Sequence, residues 1–129
     1  MSDPTYHLPH RPRRNRRTAA IRSLVRETVL TPGDLIAPFF VLEGENQREP
    51  IGAMPGQDRL SIDLLLEEVA ALSRLGVNAI ALFPAIDDSL KNDMATESTN
   101  PDGLLQRAIR ALKAANPETV VIPTWRWIR

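Results

Sequence analysis

Two apolar runs decide the fold of this chain, Leu35-Ile36-Ala37-Pro38-Phe39-Phe40-Val41-Leu42 and Val77-Asn78-Ala79-Ile80-Ala81-Leu82-Phe83-Pro84. Both are nearly continuous rather than alternating, which is typical of parallel strands covered on both faces. Between them, Ser61 is the predicted N-cap of a helix. The apolar residues of that helix recur at helical spacing: Ile62, Leu65, Leu66, Val69 and Leu72. Gly76 follows the last apolar turn, where helices commonly end. Residues 34–84 therefore predict a right-handed strand–helix–strand unit with a long loop before its helix.

The same alternation continues after the second run. Asn100-Pro101 predicts a helix start, with Asn100 as the N-cap and the proline in the first helical position. The buried stripe of this helix would be Leu105, Ala108, Ile109 and Leu112. Asn116-Pro117 ends the helix, and residues 118–122 predict a third strand. The order of elements is typical of an α/β fold. Pro38 lacks a donor for the strand ladder, so we expect a bulge or an edge position there.

The N-terminal region differs in charge from the rest. Residues 1–26 contain seven arginines and one acidic residue, a net charge of +6, although the 129-residue chain has a formal net charge of zero. Residues 1–17 have no apolar face to bury, which predicts an extended arm. A short helix is predicted next, at residues 18–27. We expect three regions: an arm with a short helix at 1–30, an α/β domain at 31–122 and an aberrant tail at 123–129.

Composition excludes several classes of protein. The chain has no cysteine, which rules out disulfides, thiolate metal sites and a cysteine nucleophile and is compatible with a cytoplasmic location. No apolar run approaches the roughly 20 residues that span a bilayer, so we expect no membrane partner. The arginine arm lacks the aromatic interleaving of single-strand binders, apart from Tyr6. We expect a solvated or subunit-binding arm and no nucleic-acid partner.

Few residues combine into a chemical site. His7 and His10 have no third metal ligand nearby. Asp87-Asp88 could bind a hard cation, although a solvated acidic loop is the commoner role of such a pair. Lys91 lies in a polar loop, and Lys113 lies on the outer face of the second helix. Neither is predicted to occupy the desolvated pocket that makes a lysine amine nucleophilic. We predict no catalytic, cofactor-binding or metal-ligating residue in this chain.

Several short motifs nevertheless occur in a specific order. They are Arg14-Asn15-Arg16-Arg17, Leu24-Val25-Arg26-Glu27, Leu35-Ile36-Ala37-Pro38-Phe39-Phe40-Val41, Met54-Pro55-Gly56, Arg59-Leu60-Ser61, Leu82-Phe83-Pro84 and Asn100-Pro101-Asp102-Gly103. From about residue 13 to 122, the set resembles the N-terminal third of the porphobilinogen synthase family, also called δ-aminolevulinic acid dehydratase. The resemblance implies a (β/α)8 TIM barrel, of which this chain would hold an extended arm, the first three strands and two helices. The barrel would be incomplete.

The resemblance also implies an activity and an assembly. Members of the family are hydro-lyases that condense two molecules of 5-aminolevulinate to porphobilinogen in haem and other tetrapyrrole biosynthesis. They form homo-octamers in which the arm packs on a neighbouring subunit, which implies a subunit-contact role for Arg13, Arg14, Arg16 and Arg17. Magnesium or zinc is implied for the full-length family. Its two substrate lysines, its active-site aspartates and its metal segment lie beyond residue 129.

The resemblance ends at Ile122. The family typically continues as Ile-Thr-Asp-Val-Ala-Leu-Asp-Pro, whereas this chain continues as Ile122-Pro123-Thr124-Trp125-Arg126-Trp127-Ile128-Arg129. Loss of one base from a coding sequence for the family segment yields this peptide, so we hypothesise a frameshifted tail, which sequencing the locus tests. We predict that the 129 residues alone are inactive. The alternatives are a non-catalytic fragment that docks on full-length subunits, or a weak anion or nucleic-acid binder that uses the arm.

Overall fold

The computed structural model describes residues 13–124 and divides the chain into two compact units, Met1–Leu30 and Thr31–Arg129. In the first unit, a 3-10 helix at Arg13–Arg16 precedes α1 (Ala19–Leu24). Thr18 caps α1, because its hydroxyl accepts a hydrogen bond of 3.1 Å from the Ile21 amide. The predicted short helix is confirmed, although it ends at Leu24 instead of Glu27. Neither helix contains a buried residue.

The second unit is built on one five-stranded sheet, with α2 before β4 and α3 before β5. Its elements are β1 (Ile36–Val41), β2 (Arg48–Pro50), β3 (Asp58–Leu60), α2 (Ile62–Arg74), β4 (Ala79–Pro84), α3 (Leu104–Ala115) and β5 (Val120–Pro123). The strand order is β2-β3-β1-β4-β5. All neighbours pair in parallel except β2, which is antiparallel to β3. The predicted α/β alternation is confirmed, but the sheet has five strands where the sequence predicted three.

The two additional strands lie in the long loop between β1 and α2. Each has three residues and is largely polar, so no apolar run signals it. The Leu42 amide donates to the Leu60 carbonyl at 2.9 Å, which adds β3 to the end of β1. Arg48 of β2 bonds to Asp58 at 3.0 Å and to Glu68 of α2 at 2.7 Å. A hairpin that the sequence did not predict therefore extends the sheet beside the end of β1.

Helices α2 and α3 cover one face of the sheet. The core consists of Val41, Leu60, Leu65, Val69, Ile80, Leu82, Leu104, Leu105, Ala108 and Leu112. Both predicted helical stripes are represented in it. Because strand side chains alternate between faces, the opposite face carries Ile36, Pro38, Phe40, Ala79, Ala81, Phe83, Val120 and Ile122, and we call it the open face. Across residues 13–124, no helix is long and apolar enough to cross a membrane.

Helix α3 begins at Leu104 and not at Pro101 as predicted. The Asn100 side chain accepts a hydrogen bond from the Asp102 amide at 3.0 Å, and the Asn100 carbonyl accepts one from the Gly103 amide at 3.1 Å. Asn100 thus closes a local turn, a structure that competes with helix capping by this residue type. Gly103 becomes the N-cap. The predicted end of the helix at Asn116 is confirmed.

Pro38 lies where β1 has a strand on one side only. Its partner in β4 is Ala81, whereas β3 pairs only with Phe40 and Val41. The Leu42 amide points toward β3, and alternation directs the Pro38 nitrogen to the same side. No described strand needs a donor there, which confirms the expected edge position.

Pro123 is accommodated in the same way. The amides of Val120 and Thr124 donate to Asn78 and Leu82 at the β4 side, at 2.8 and 3.0 Å. Alternation directs the Pro123 nitrogen away from β4, so Pro123 extends the strand without breaking the ladder. Residues 125–129 of the predicted tail lie outside the described residues.

Candidate functional site

A cleft of about 960 Å³ opens where the parallel strands end. Its walls include Phe40 and Leu42 from the end of β1, Phe83 and Ile86 from the end of β4, and Thr124 after β5. Parallel strands place their carboxyl ends at one edge of a sheet, and ligands of α/β folds bind at that edge. The cleft is therefore the candidate site.

Two aromatic rings form the apolar wall of the cleft. Phe40 and Phe83 are paired in register across β1 and β4, on the open face. Their rings stack with centroids 5.1 Å apart and an interplanar angle of 26°. Thr124 closes the β5 side, because its hydroxyl donates to the Leu82 carbonyl at 2.7 Å. This wall presents an apolar surface to the cleft.

Both basic side chains that line the cleft, Arg59 and Lys91, are ion-paired. Arg59 bonds to Glu49 at 2.6 Å. The Lys91 side chain, 27% exposed, donates to Asp88. The structure thus brings Lys91 to the cleft wall, which its position in a polar loop did not predict. An ammonium group held by a carboxylate has no free lone pair for attack on a carbonyl.

Lys113 does not line the cleft. Its ammonium group donates to the carbonyls of Pro117 and Thr119 at 2.7 and 2.9 Å. These bonds fix the turn between α3 and β5. Lys113 therefore has a structural role at the C-terminal end of α3. It is not placed as a nucleophile in the cleft.

The acidic pair next to the cleft is engaged in local bonds. The Asp87 carboxylate accepts a hydrogen bond from the Ser89 amide at 2.8 Å, and the Ser89 hydroxyl and amide together lower the pKa of Asp87. Asp88 pairs with Lys91. Among residues 13–124, no group of three or more histidine or carboxylate side chains could hold a metal ion. The described donors do not fit the magnesium or zinc that the resemblance implies. His7 and His10 lie outside the described residues.

Ser61 anchors the loop that leads to the cleft rather than capping α2. It occupies the N-cap position, but its hydroxyl makes no cap bond. Instead it accepts from the Gln47 amide at 2.9 Å, and its one proton is shared between the Gln47 carbonyl at 3.3 Å and the Asp63 carboxylate. Next to it, the Asp63 carboxylate accepts from the Asn46 amide at 2.8 Å. The Ser61 hydroxyl and the Asn46 amide lower the pKa of Asp63. No pattern in the sequence predicted this anchor.

The four arginines assigned to the arm lie in the first unit. Arg13, Arg14 and Arg16 belong to the 3-10 helix, and Arg17 follows it; all four are exposed. The Arg16 carbonyl accepts a hydrogen bond from Arg22 at 3.1 Å. Their role in contacting a subunit stays a prediction.

The fold and the cleft define an α/β protein whose candidate site lies at the carboxyl edge of its parallel strands, the edge at which TIM barrels bind their ligands. The sequence model of the delta-aminolevulinic acid dehydratase family matches residues 9–124. The chain belongs to this family, which confirms the resemblance. The match runs two residues past Ile122, where the sequence was expected to diverge.

Individual relatives agree with this assignment. The delta-aminolevulinic acid dehydratase of Chlamydia pneumoniae is 50% identical over 115 residues, which are 89% of this chain and 35% of that protein. The Bradyrhizobium diazoefficiens enzyme of the same name is 44% identical over 121 residues, 94% of this chain and 34% of that protein. The crystal structure of the Toxoplasma gondii enzyme, in complex with the reaction product porphobilinogen, has a TM-score of 0.83 and 51% identity over 88% of this chain and 32% of that chain. This chain spans about a third of the length of these relatives.

Proposed function

We propose that this chain forms the first part of a porphobilinogen synthase barrel, which condenses two molecules of 5-aminolevulinate to porphobilinogen. The observation that carries the proposal is the cleft at the carboxyl ends of β1, β4 and β5 in a chain of this family. The Toxoplasma gondii relative, whose crystal structure contains the product porphobilinogen, supports the choice of reaction.

The residues of this chain would shape the site without supplying the nucleophile. Phe40 and Phe83 offer an apolar wall to the cleft. The reaction implied by the resemblance begins when a lysine amine attacks the ketone of the substrate, and a Schiff base forms with loss of water. Both lysines of this chain, Lys91 and Lys113, are bonded to oxygen acceptors. The attacking amine therefore has to come from another part of the barrel.

A chimera tests the proposed function. Residues 9–124 of this chain would replace the matched segment of the Chlamydia pneumoniae relative, and porphobilinogen formation from 5-aminolevulinate would be measured. We expect the chimera to be active. We expect a polypeptide of the 129 residues alone to form no porphobilinogen. A folded, soluble chimera with no activity would contradict the proposal.

The proposal also assigns the arm to contact with a neighbouring subunit. Its described arginines are exposed, and so are four apolar side chains, with Leu24 85%, Val25 45%, Val29 62% and Leu30 75% exposed. Apolar side chains on a segment with no buried residues favour burial against a protein surface. Sedimentation velocity of the chimera, with and without residues 9–30 of this chain, checks this: loss of the arm should reduce the assembly size.

A further inference from the structure

Arg59 lies beside the aromatic wall of the cleft. It belongs to β3, where it pairs in register with Phe40 of β1. Its neighbour Leu60 is buried in the core, so alternation directs Arg59 to the opposite face of the sheet, which is also the face of Phe40. Adjacent strands are only about 4.8 Å apart. The cleft therefore has a guanidinium group at one edge of its apolar wall.

The Arg59 guanidinium group has hydrogen-bond donors that are not in use. Among residues 13–124, Glu49 is its only hydrogen-bonding partner, and the bond of 2.6 Å uses one terminal nitrogen, Nη1. A guanidinium group has several N–H donors in a planar fork that matches the geometry of a carboxylate. The nitrogens Nη2 and Nε of Arg59 therefore remain as donors for a second anion.

Glu49 is a weak competitor for this guanidinium group. Its side chain is 61% exposed. Ion pairs of exposed side chains contribute little to stability, because water and salt screen them. A ligand carboxylate that lies against the apolar wall would meet Arg59 where less water screens the two charges. Such a carboxylate can replace Glu49, or share the guanidinium group with it, at little cost.

Lys91, the other basic side chain of the cleft wall, is less suited to hold an anion. It is already paired with Asp88, and the Asp87 carboxylate also lines the cleft. Hydrogen bonds from Ser89 lower the pKa of Asp87, which keeps this carboxylate ionised at neutral pH. Two negative charges near one ammonium group repel a further anion. Arg59 is therefore the better anion site of the two.

We propose that Arg59 binds a carboxylate of the ligand and so selects carboxylate-bearing molecules for this cleft. The identity of the ligand, 5-aminolevulinate or the porphobilinogen formed from it, rests on the proposed function. Both molecules bear a carboxylate, and the carbon skeleton of each can lie against the wall of Phe40 and Phe83. Glu49 holds the Arg59 side chain in position before the ligand binds.

Titration of the 129-residue chain with 5-aminolevulinate, followed by amide chemical shifts in NMR spectra, tests this binding without any catalytic step. The methyl ester of 5-aminolevulinate is the matched probe, because it lacks the negative charge. We expect the ester to bind about tenfold more weakly than the acid, since a charge-assisted hydrogen bond is lost. Arg59→Gln should weaken binding of the acid to the same extent and remove the difference between acid and ester.

Two further variants separate ligand binding from a structural role in the hairpin. Arg48→Gln removes another ion-paired arginine of the same hairpin, outside the residues that line the cleft, and should leave binding of the acid unchanged. Glu49→Gln removes a competing negative charge, so it should strengthen binding about 2- to 5-fold. If the ion pair only stiffened the hairpin, Glu49→Gln would weaken binding as Arg59→Gln does. Far-ultraviolet circular dichroism verifies that each variant is folded.

The chimera extends the test to the reaction. Arg59→Gln should raise KM for 5-aminolevulinate about tenfold and change kcat less, because the bond to the carboxylate is made equally in the ground state and the transition state. Four results would overturn the assignment: no binding of the acid, equal binding of acid and ester, binding of the acid that Arg59→Gln leaves unchanged, or weaker binding in Glu49→Gln.

Failure of this assignment and failure of the proposed function give different results. An inactive chimera, together with Arg59-dependent binding by the 129-residue chain, would contradict the proposed function and leave the role of Arg59 in place. An active chimera whose KM is unchanged by Arg59→Gln would overturn the role of Arg59 and leave the proposed function in place.

Discussion

The two faces of the sheet come from the same strands but differ in what covers them. On the helix-covered face, Val41, Ile80 and Leu82 are completely buried. On the open face, Ile36 and Val120 are more than half exposed. An apolar run in a strand supplies both faces equally, because its side chains alternate. The difference teaches that the buried core lies on one face of the sheet, while apolar side chains of the same strands stay exposed on the other.

Leu65→Ala should produce the largest effect on the helix-covered face. Leu65 is completely buried in the core, and its truncation leaves a cavity. We expect the free energy of unfolding to fall by about 2–5 kcal/mol. Urea unfolding followed by far-ultraviolet circular dichroism measures this loss. The control is Leu75→Ala, on the same helix, which should stay within about 0.5 kcal/mol of the parent because Leu75 is exposed.

Ser61→Ala should have the next largest effect. Ser61 is completely buried, and its removal leaves the Gln47 amide without its acceptor. We expect a loss of about 1–3 kcal/mol in urea unfolding. Thr31→Ala provides the contrast, because its hydroxyl bonds to Asp34 at an exposed position. A loss for Ser61→Ala no larger than that for Thr31→Ala would show that the loop is not anchored as the structure indicates.

Features driven by apolar burial could be predicted from the sequence. The two apolar runs became β1 and β4, and the stripes of α2 and α3 lie in the core. The hairpin of β2 and β3 could not be predicted from the sequence, because its strands are short and polar. It depends on distant contacts such as that of Arg48 with Glu68, which are twenty residues apart. The predicted start of α3 was wrong for a related reason. Asn100 can either cap a helix or close a local turn, and nearby contacts selected the turn.

The candidate site was predictable only in part. The position of the cleft follows from the ends of parallel strands. Its composition does not, because the placement of Lys91 in the cleft wall depends on how residues 85–91 turn, and no periodic pattern specifies that turn. The anchoring role of Ser61 was hidden because the same residue type at the same position commonly caps a helix.

Ile36→Ala probes the open face and should have a much smaller effect than Leu65→Ala. Ile36 is 56% exposed, so truncation removes little buried surface and creates no cavity. We expect a change within about 0.5 kcal/mol in the urea unfolding of the isolated chain. A loss above about 2 kcal/mol would mean that the face is buried in solution, as a cavity-forming substitution in a core would show.

Acidification should give the smallest and most local contrast. Hydrogen bonds from the Ser61 hydroxyl and the Asn46 amide lower the pKa of Asp63 below its ordinary value of 3.8. A carboxylate with a depressed pKa in the folded state stabilises the fold above its unfolded pKa, and this stabilisation is lost as the pH falls through the folded pKa. Asp63→Asn should therefore have a lower Tm than the parent at pH 7, and this difference should close below about pH 4. Leu75→Ala has no titrating group, so its Tm difference should not depend on pH. A difference for Asp63→Asn that persists unchanged to pH 2 would mean that the carboxylate does not hold the Asn46 amide and that Ser61 alone anchors the loop.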